Sequence, residues 1–263
     1  MKIARYQDGA EAYWGMLDGD ELFALAGDPF SGPDVRRGPH VSPLAEAQLL
    51  APVVPSKLLA VGRNYVKHIE EMAARASANP ALPARPDHPT FFLKPTSSIV
   101  GHNAAIVYPT GQSQHVEHEA ELGLVIGRRG RNIAESEALD YVFGYLCAND
   151  VSARDIRDDG QWMRSKGFDT FAPLGPWIET ELDAADLRIT ACVNGQLKQD
   201  SRTSDLLFKI PYLISFISRA MTLEPGDVII TGTPSGVSAI SPGDVVEVEV
   251  EGIGILRNPV FAG

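Results

Sequence analysis

Short apolar runs separated by turn residues dominate this chain and predict a mainly β protein. Apolar or alternating stretches occur over residues 58–62, 90–94, 104–108, 119–127, 141–148 and 188–193. Runs of this length that are bounded by Gly, Pro, Asn or Asp are typical of β-strands. We therefore expect an α+β fold in which strands greatly outnumber helices.

Two stretches predict helices. The clearer one covers residues 210–221, where Pro211 occupies the first turn. Its apolar positions recur at helical spacing and form one stripe, which consists of Ile210, Leu213, Ile214 and Ile217. Asn64 could cap a second helix that runs to about residue 76.

The N-terminal region predicts a separate small β module over residues 1–52, followed by a main domain over residues 53–263. Strand candidates cover residues 3–6 and 12–17, and a Gly/Pro-rich connection follows over residues 27–43. A later stretch, residues 73–89, is rich in Ala and Pro and shows no periodicity. We expect this stretch to be a mobile segment.

Composition and charge limit the classes of partner. The chain has 263 residues, 44% of them hydrophobic, a net charge of −11 and a pI of about 5.0. This acidic balance argues against nucleic acid or an anionic membrane as partner. Cys147 and Cys192 lie in apolar runs without metal-type spacing, so we expect buried, reduced thiols in a cytoplasmic protein. The first residues lack the apolar core of a signal peptide, and no run is long enough to span a membrane.

Three carboxylates stand out as candidate chemistry. Glu119 and Glu121 are two residues apart in a predicted strand, so their side chains share one face. Asp150 directly follows the apolar run 141–148. Carboxylates that meet at one point repel each other and raise each other's pKa values unless a cation lies between them. All-oxygen ligands suit a hard ion, Mg²⁺ or Mn²⁺ before Zn²⁺.

The pattern alone leaves an alternative open. A Glu-x-Glu sequence in a strand is more often the solvated face of an antiparallel sheet. Two histidines, His115 and His118, could also add metal ligands, and zinc or iron would then be favoured.

Further candidate groups are a histidine, a glutamate and a lysine. His68 and Glu71 lie three residues apart on the predicted helix, and a carboxylate beside an imidazole makes it a better base. Their alternative is a solvated helix face with surface ion pairs. Lys166 lies between aromatic residues and could equally extend over an apolar surface.

Taken together, these motifs resemble the fumarylacetoacetate hydrolase family. The resemblance covers residues from about 57 to 258 and is specific because many short motifs occur in the same order. The matching segments are residues 61–65 with His68 and Glu71, then 92–95, 118–122, 149–155, 165–166, 193–195 and 226–234. The N-terminal module and residues 177–180 look closest to members named 2-hydroxyhepta-2,4-diene-1,7-dioate isomerases.

The resemblance implies a mixed β-roll catalytic domain, a homodimer and a bound Mg²⁺ or Mn²⁺ ion. It assigns Glu119, Glu121 and Asp150 as metal ligands. It assigns Lys166 as a catalytic lysine and His68 with Glu71 as a water-activating pair on a segment that orders as a lid.

The resemblance also assigns positions that contact the substrate, a small 2-keto or 2-hydroxy acid. These are Arg63, Lys94, Arg154, Arg157 and Thr233. Arg157 departs from the glutamine that we would expect in many relatives, which can change the distal group that the pocket accepts.

The expected function is metal-dependent hydrolysis of a C–C bond in 2,4-diketo acids of the acylpyruvate or fumarylpyruvate type, through an enolate that the metal stabilises. Only hydrolysis needs an activated water. The alternative is isomerisation or decarboxylation of 2-hydroxyhepta-2,4-diene-1,7-dioate or oxaloacetate-type dicarboxylates. A third class, a non-catalytic acid-binding protein, has no need of the base His68.

Overall fold

The computed structural model describes residues 1–31, 35–75, 85–159 and 161–263, with the side chains of 157–159 left out. The described chain is predominantly β with a few helices, which confirms the predicted fold class. In these residues, no helix combines the length and the apolar character needed to cross a membrane.

Strands follow one another through most of the described chain. In chain order they are Lys2–Asp8 (β1), Glu11–Asp18 (β2), Glu21–Ala26 (β3), Arg36–Pro43 (β4), Leu49–Leu50 (β5), Leu58–Gly62 (β6), Thr90–Lys94 (β7), Ile99–Val100 (β8), Ile106–Tyr108 (β9), Val116–Glu117 (β10), Ala120–Ile126 (β11), Val142–Asn149 (β12), Ser152–Ala153 (β13), Ala172–Glu179 (β14), Arg188–Val193 (β15), Gln196–Arg202 (β16), Val228–Ile230 (β17), Ala239–Ile240 (β18), Val245–Val250 (β19) and Gly254–Ala262 (β20).

The helices are short and lie between strands. The α-helices are Val66–Arg75 (α1), Trp162–Lys166 (α2) and Ile210–Ala220 (α3). Single 3-10 segments cover Leu44–Glu46, Thr96–Ser98, Glu135–Tyr141, Arg154–Asp159 and Thr203–Asp205. Helix α3 confirms the prediction over residues 210–221, and it buries the predicted stripe of Ile210, Leu213, Ile214 and Ile217.

One large sheet organises the molecule. Its main path runs β4-β3-β2-β1-β14-β12-β11-β17-β6-β7. A five-stranded sheet runs β16-β15-β19-β20-β9, and a three-stranded sheet runs β13-β10-β18. The strands of the predicted N-terminal module are continuous with the large sheet, because Lys2 and Ile3 of β1 pair with Glu179 and Ile178 of β14.

Strand β11 lies at the centre and is buried on both faces. Leu122 and Leu124 pack in a core cluster that also contains Val248 of the five-stranded sheet and Leu213 of α3. Val125 points to the opposite face and packs in a second cluster with Leu146 and other residues. Burial of both faces explains why the run 119–127 has few polar positions.

Three local expectations were wrong. Residues 36–43, predicted as a connection, form strand β4. Asn64 does not act as a helix cap in the expected way, since its Oδ1 accepts from the N–H of Phe208 at 2.7 Å. Cys192 is only half-buried, whereas Cys147 is fully buried, and both are free thiols. Part of the predicted mobile segment, residues 76–84, lies outside the described residues.

Candidate active site

Neighbouring strands bring the three predicted carboxylates together. Glu119 immediately precedes β11 and Glu121 is its second residue, while Asp150 follows the last residue of β12. The two strands pair with Ala120 opposite Asn149, so the start of one meets the end of the other. The N–H of Asp150 donates to the carbonyl of Glu119 at 2.9 Å, which fixes the two backbones next to each other.

The carboxylates form one buried cluster. Ligand oxygens of Glu119, Glu121 and Asp150 all lie within 4.8 Å of one another. Their relative exposures are 4%, 1% and 1%. The solvated-face alternative for the Glu-x-Glu sequence is therefore wrong, and the negative charges must be compensated inside the protein.

Two buried lysines supply part of that compensation. Lys166, at the end of α2, places Nζ 2.8 Å from Glu119 Oε2 and 2.5 Å from Asp150 Oδ2. Lys94, the last residue of β7, places Nζ 2.5 Å from Asp150 Oδ1. Burial lowers the pKa of Lys94, which the negative charge of Asp150 opposes. Arg154 also pairs with Glu119, but its charge is balanced by Glu117, so three carboxylates against two lysines leave one negative charge in this cluster.

Glu121 carries the charge that remains without a cation. Its Oε2 accepts from the backbone N–H of Gly232 at 2.6 Å, and no described cationic side chain forms an ion pair with it. Burial raises the pKa of Glu121 well above 4.5, and the charges of Asp150 and Glu119 raise it further. Glu119 has the opposite behaviour: burial would raise its pKa, but Lys166 and Arg154 outweigh this and lower it.

This donor set fits a divalent cation. The oxygens are close, buried and hard, and they include one carboxylate whose charge the protein does not balance. Glu119, Glu121 and Asp150 are the residues that would hold the ion. A divalent cation would change the cluster from one net negative charge to one net positive charge, which favours an anionic ligand.

His68 and Glu71 form a pair on helix α1. His68 Nδ1 lies 3.3 Å from Glu71 Oε2, and the His68 side chain is only 8% exposed. Glu71 also accepts from the N–H of Gly236 at 3.1 Å and from Arg75 at 2.8 Å. Burial raises the pKa of Glu71, but its hydrogen bonds with His68 and Gly236 outweigh this and lower it. The negative Glu71 favours the tautomer in which Nδ1 carries hydrogen, and Nε2 is then the proton acceptor.

Three of the five predicted substrate-contact residues lie at the cluster or directly follow a residue that contacts it. Lys94 and Arg154 contact it directly, because Arg154 pairs with both Glu119 and Glu117. Thr233 is buried and follows Gly232, which contacts Glu121. Arg63 lies in the turn between β6 and α1 with a φ of 59°. The backbone of Arg157 lies in a 3-10 segment, and its side chain lies outside the described residues.

The two histidines near the cluster have other partners. His118 Nδ1 lies 3.1 Å from Gln199 Oε1, and its Nε2 lies 2.9 Å from Ser238 Oγ. His115 Nε2 lies 3.0 Å from Glu117 Oε1. Neither histidine belongs to the group of close oxygens formed by the carboxylates, so the zinc or iron alternative finds no support from them.

Sequence reasoning missed three polar residues that connect the site. Glu117 and Gln199 are buried, and Arg75 ends helix α1. The contacts that connect them to the rest of the site are with residues remote in sequence, so local spacing offered no signal for these contacts. The nearest hint was Glu117 itself, a carboxylate two positions before Glu119 that repeats the Glu-x-Glu spacing.

Two family models match the chain. The family model described as fumarylacetoacetate (FAA) hydrolase C-terminal matches residues 57–261, and a model described as Rv2993c-like, N-terminal matches residues 1–52. An oxaloacetate tautomerase of Xenopus laevis is 42% identical over 235 residues, which cover 84% of this chain and 70% of that protein.

Two solved structures add to this comparison. A 2-hydroxyhepta-2,4-diene-1,7-dioate isomerase from Mycobacterium marinum is 40% identical, with a TM-score of 0.87, and the match covers 100% of this chain and 98% of that one. A maleylpyruvate hydrolase from Sphingobium sp. SYK-6, in complex with manganese(II) and pyruvate, is 31% identical, with a TM-score of 0.80 and complete coverage of both chains.

Proposed function

Because the chain belongs to the fumarylacetoacetate hydrolase family, we propose that it is a divalent-metal-dependent hydrolase that cleaves a C–C bond in 2,4-diketo acids of the acylpyruvate type. The observation that carries this proposal is the His68–Glu71 pair beside the carboxylate cluster. Glu71 of this pair is linked to Glu119 of the cluster by ion pairs that run through Arg75, Glu117 and Arg154. A site that only bound an acid would not require this base.

The charges of the site favour an anionic substrate. Mg²⁺ or Mn²⁺ held by Glu119, Glu121 and Asp150 would supply Lewis acidity for negative charge that develops on substrate oxygens. Lys94 and Lys166 would remain beside the bound acid, and Arg154 would be held in place by Glu117. These groups orient the substrate and offset its charge.

The hydrolytic step assigns one role to each member of the pair. His68 Nε2 takes a proton from water as the water oxygen attacks the C4 carbonyl carbon, and Glu71 stabilises the imidazolium that forms. The bond between C3 and C4 then breaks, which releases a carboxylic acid and leaves the electron pair on the enolate of pyruvate. The imidazolium of His68 then gives up its proton, C3 of the enolate takes up one proton, and pyruvate and the neutral base result. General-base catalysis of this kind contributes about 10²–10⁴-fold to the rate.

The test is the loss of enol absorbance from acetylpyruvate with Mg²⁺, with Mn²⁺ and with EDTA. We expect metal-dependent release of acetate and pyruvate, and a loss of about 10²-fold or more in kcat for His68→Ala. His40→Ala is the matched control, because His40 also pairs with a glutamate, Glu21, at 2.6 Å but on the N-terminal strands. Cleavage at the wild-type rate in His68→Ala would refute the role of this histidine.

A second candidate function is keto–enol tautomerisation or isomerisation of a related dicarboxylate. The names of two relatives favour it, since one is an oxaloacetate tautomerase and another is an isomerase. This chemistry needs proton transfer but no attacking water, and Lys166 is a buried group that could carry it. If acetylpyruvate is not cleaved but oxaloacetate is tautomerised, and His68→Ala keeps that activity, the second function replaces the first.

A further inference from the structure

A buried carboxylate outside the three-residue cluster is shared by two arginines. Glu117, the last residue of β10, is 3% exposed at its side chain. Its Oε2 lies 2.7 Å from Arg154 Nε, and its Oε1 lies 2.9 Å from the Nη1 atom of Arg75. His115 Nε2 approaches the same Oε1 at 3.0 Å. Glu117 thus joins a residue of the candidate site to a residue of helix α1.

Arg75 is the last residue of helix α1 and has three acceptors. Besides Glu117, its Nη2 donates to Glu71 Oε1 at 2.8 Å and to the carbonyl of Val237 at 2.8 Å. A cation at the C-terminus of a helix also interacts favourably with the helix dipole. The guanidinium therefore fixes the end of the helix against two other parts of the chain.

The ion pairs form a continuous series from His68 to the carboxylate cluster. The order is His68, Glu71, Arg75, Glu117, Arg154 and Glu119, with alternating sign from Glu71 onward. Each residue of this series contacts the next one directly, side chain to side chain. The orientation of Glu71, and through it that of His68, is thereby tied to the orientation of the metal-ligand candidate Glu119.

The two ends of α1 are held in different ways. Just before the helix, Asn64 Nδ2 donates to the carbonyls of Thr231 and Phe208 at 2.8 and 3.1 Å. The bond to Thr231 is buried, the bond to Phe208 is partly buried, and neither involves the His68–Glu71 pair. At the other end, the described contacts include Arg75 with Glu117 and Val237, and Glu71 with the N–H of Gly236. Loss of Arg75 would therefore loosen the end of the helix that carries Glu71.

We propose that Arg75 is a positioning residue: by pairing with the buried Glu117, it holds Glu71 and His68 in a fixed orientation relative to the carboxylate cluster. This inference depends on the proposed function, because it assigns a purpose to the orientation of the base. The simpler interpretation is an exposed ion pair between Arg75 and Glu71 four residues apart, which would contribute little. The burial of Glu117 argues against it, since a buried carboxylate needs its partners.

The experiment compares Arg75→Ala and Arg75→Lys with Arg202→Ala in the full-length, Mn²⁺-loaded protein. Arg202 is a matched control, because it is 45% exposed against 43% for Arg75 and also pairs with carboxylates, Asp186 and Glu251. The measurements are kcat and KM for acetylpyruvate, the affinities for Mn²⁺ and oxalate, and amide hydrogen exchange over residues 66–75.

For Arg75→Ala we expect kcat to fall about 10- to 100-fold, in line with partial loss of general-base catalysis. KM and both affinities should stay within about threefold, since Arg75 contacts neither the cluster nor the ligand. Exchange over residues 66–75 should accelerate, because local opening becomes easier. Arg75→Lys should recover part of kcat, and Arg202→Ala should match the wild type.

A double variant tests the connection through Glu117. If Arg75 acts through this carboxylate, adding Arg75→Ala to Glu117→Gln should cause little further loss of kcat or of exchange protection. Fully additive losses would mean that Arg75 acts on its own and would overturn the proposal.

The remaining outcomes separate this inference from the proposed function. Unchanged kcat or unchanged exchange in Arg75→Ala, in a wild type that cleaves acetylpyruvate, overturns the inference and leaves the proposed function intact. If the wild type cleaves no diketo acid, the proposed function fails and the assigned role of the base falls with it. Hydrogen exchange then still decides whether Arg75 anchors α1.

Discussion

Gln199 Nε2 donates a hydrogen bond of 2.7 Å to Thr233 Oγ1. The other partners of the Gln199 amide fix its orientation, and therefore the direction of this bond. Gln199 Oε1 accepts from the backbone N–H of Ala120 at 2.9 Å, and Nε2 also donates to the carbonyl of Pro234 at 2.7 Å. Because Thr233 accepts from Gln199, its own hydroxyl hydrogen remains available for an acceptor such as a substrate oxygen.

Reversing this bond should weaken binding of an anion. In Gln199→Glu the introduced carboxylate would accept from Thr233, so that the hydroxyl no longer donates to the ligand. We expect oxalate to bind about tenfold more weakly to the Mn²⁺-loaded protein, equivalent to about 1.4 kcal/mol. Isothermal titration calorimetry measures this directly.

Two further variants separate the loss of the hydroxyl's hydrogen bond from the effect of the added negative charge. Gln196→Glu makes the same chemical change on the same strand at an exposed position and should bind oxalate as the wild type does. Thr233→Val removes the hydroxyl without adding charge and should weaken oxalate to a similar degree. Wild-type affinity in Thr233→Val would show that this hydroxyl does not contact the ligand.

Local sequence patterns predicted the elements whose contacts are close in sequence. Alternation placed Glu119 and Glu121 on one face, and helical spacing placed His68 beside Glu71. The apolar run before Asp150 indicated the third carboxylate, the resemblance to a family added the order of the motifs, and the family model confirms that membership. The assigned roles of these residues stay predictions until the variants are measured.

Local patterns failed where a distant part of the chain determines the structure. Strand β4 contains Gly38 and Pro39, which weaken any strand prediction, but it lies at the edge of the large sheet, where proline is tolerated. Asn64 has the composition of a helix cap, but residues more than a hundred positions away engage its side chain. Gln199 escaped notice for the same reason.

His118 should make folding stability dependent on pH. Burial lowers the pKa of His118 to about 4 from an ordinary value of 6.5, although Gln199 and nearby carboxylates oppose this. The native state therefore keeps the imidazole neutral where the unfolded chain binds a proton. The associated stability is present above pH 6.5 and is lost as the pH falls towards 4, by up to about 3 kcal/mol.

The measurement is the free energy of unfolding in urea for the wild type and for His118→Gln between pH 4 and pH 7.5. Other titrating groups are common to both proteins, so their difference isolates His118. We expect the wild type to lose about 2–3 kcal/mol more than the variant on acidification. Parallel curves would show that His118 titrates in the native state as it does in the unfolded chain.

Gly232 should tolerate no side chain. Its φ is +101°, and an added Cβ would lie 2.8 Å from Asn64 Cβ and 3.1 Å from the carbonyl oxygen of Val61. Gly243 has nearly the same φ, +98°, with no atom within 4 Å of an added Cβ. Both alanine variants bear a backbone cost of about 1 kcal/mol, and Gly232→Ala adds a steric clash in the core.

We expect Gly232→Ala to lose at least about 1–3 kcal/mol more stability than Gly243→Ala, measured by urea unfolding. The Gly232 N–H also holds Glu121 Oε2, so the Mn²⁺ affinity should fall in Gly232→Ala alone. Equal effects of the two variants on stability and metal affinity would contradict the packing argument.

Glu121 and Asp150 should respond in opposite ways to removal of their charge in the metal-free protein. Glu121 is a buried carboxylate with no ion pair to a described side chain, whereas Asp150 pairs with Lys94 and Lys166. Glu121→Gln removes an uncompensated charge and should stabilise the protein in EDTA by about 1–3 kcal/mol. Asp150→Asn leaves two buried ammonium groups short of a partner and should destabilise it by a similar amount.

The effect of Glu121→Gln should grow with pH. Since the pKa of Glu121 in the folded protein lies well above 4.5, the wild type retains the proton at low pH and loses relative stability as the pH rises through that raised pKa. Thermal unfolding in EDTA at pH 5 and pH 8 measures the trend. Both variants should bind Mn²⁺ on the order of 100-fold more weakly or worse, since each loses a ligand.

A divalent cation should reverse the order of stability of the wild type and Glu121→Gln. This reversal is expected if Glu121 is a metal ligand whose charge the protein alone does not balance. With saturating Mn²⁺ the wild type gains the linkage free energy of binding, which both variants largely forfeit. The wild type should therefore be less stable than Glu121→Gln in EDTA and more stable than it in Mn²⁺. If Glu121→Gln is destabilised in EDTA and keeps its Mn²⁺ affinity, Glu121 is a structural hydrogen-bond acceptor for Gly232, and the ion is held elsewhere.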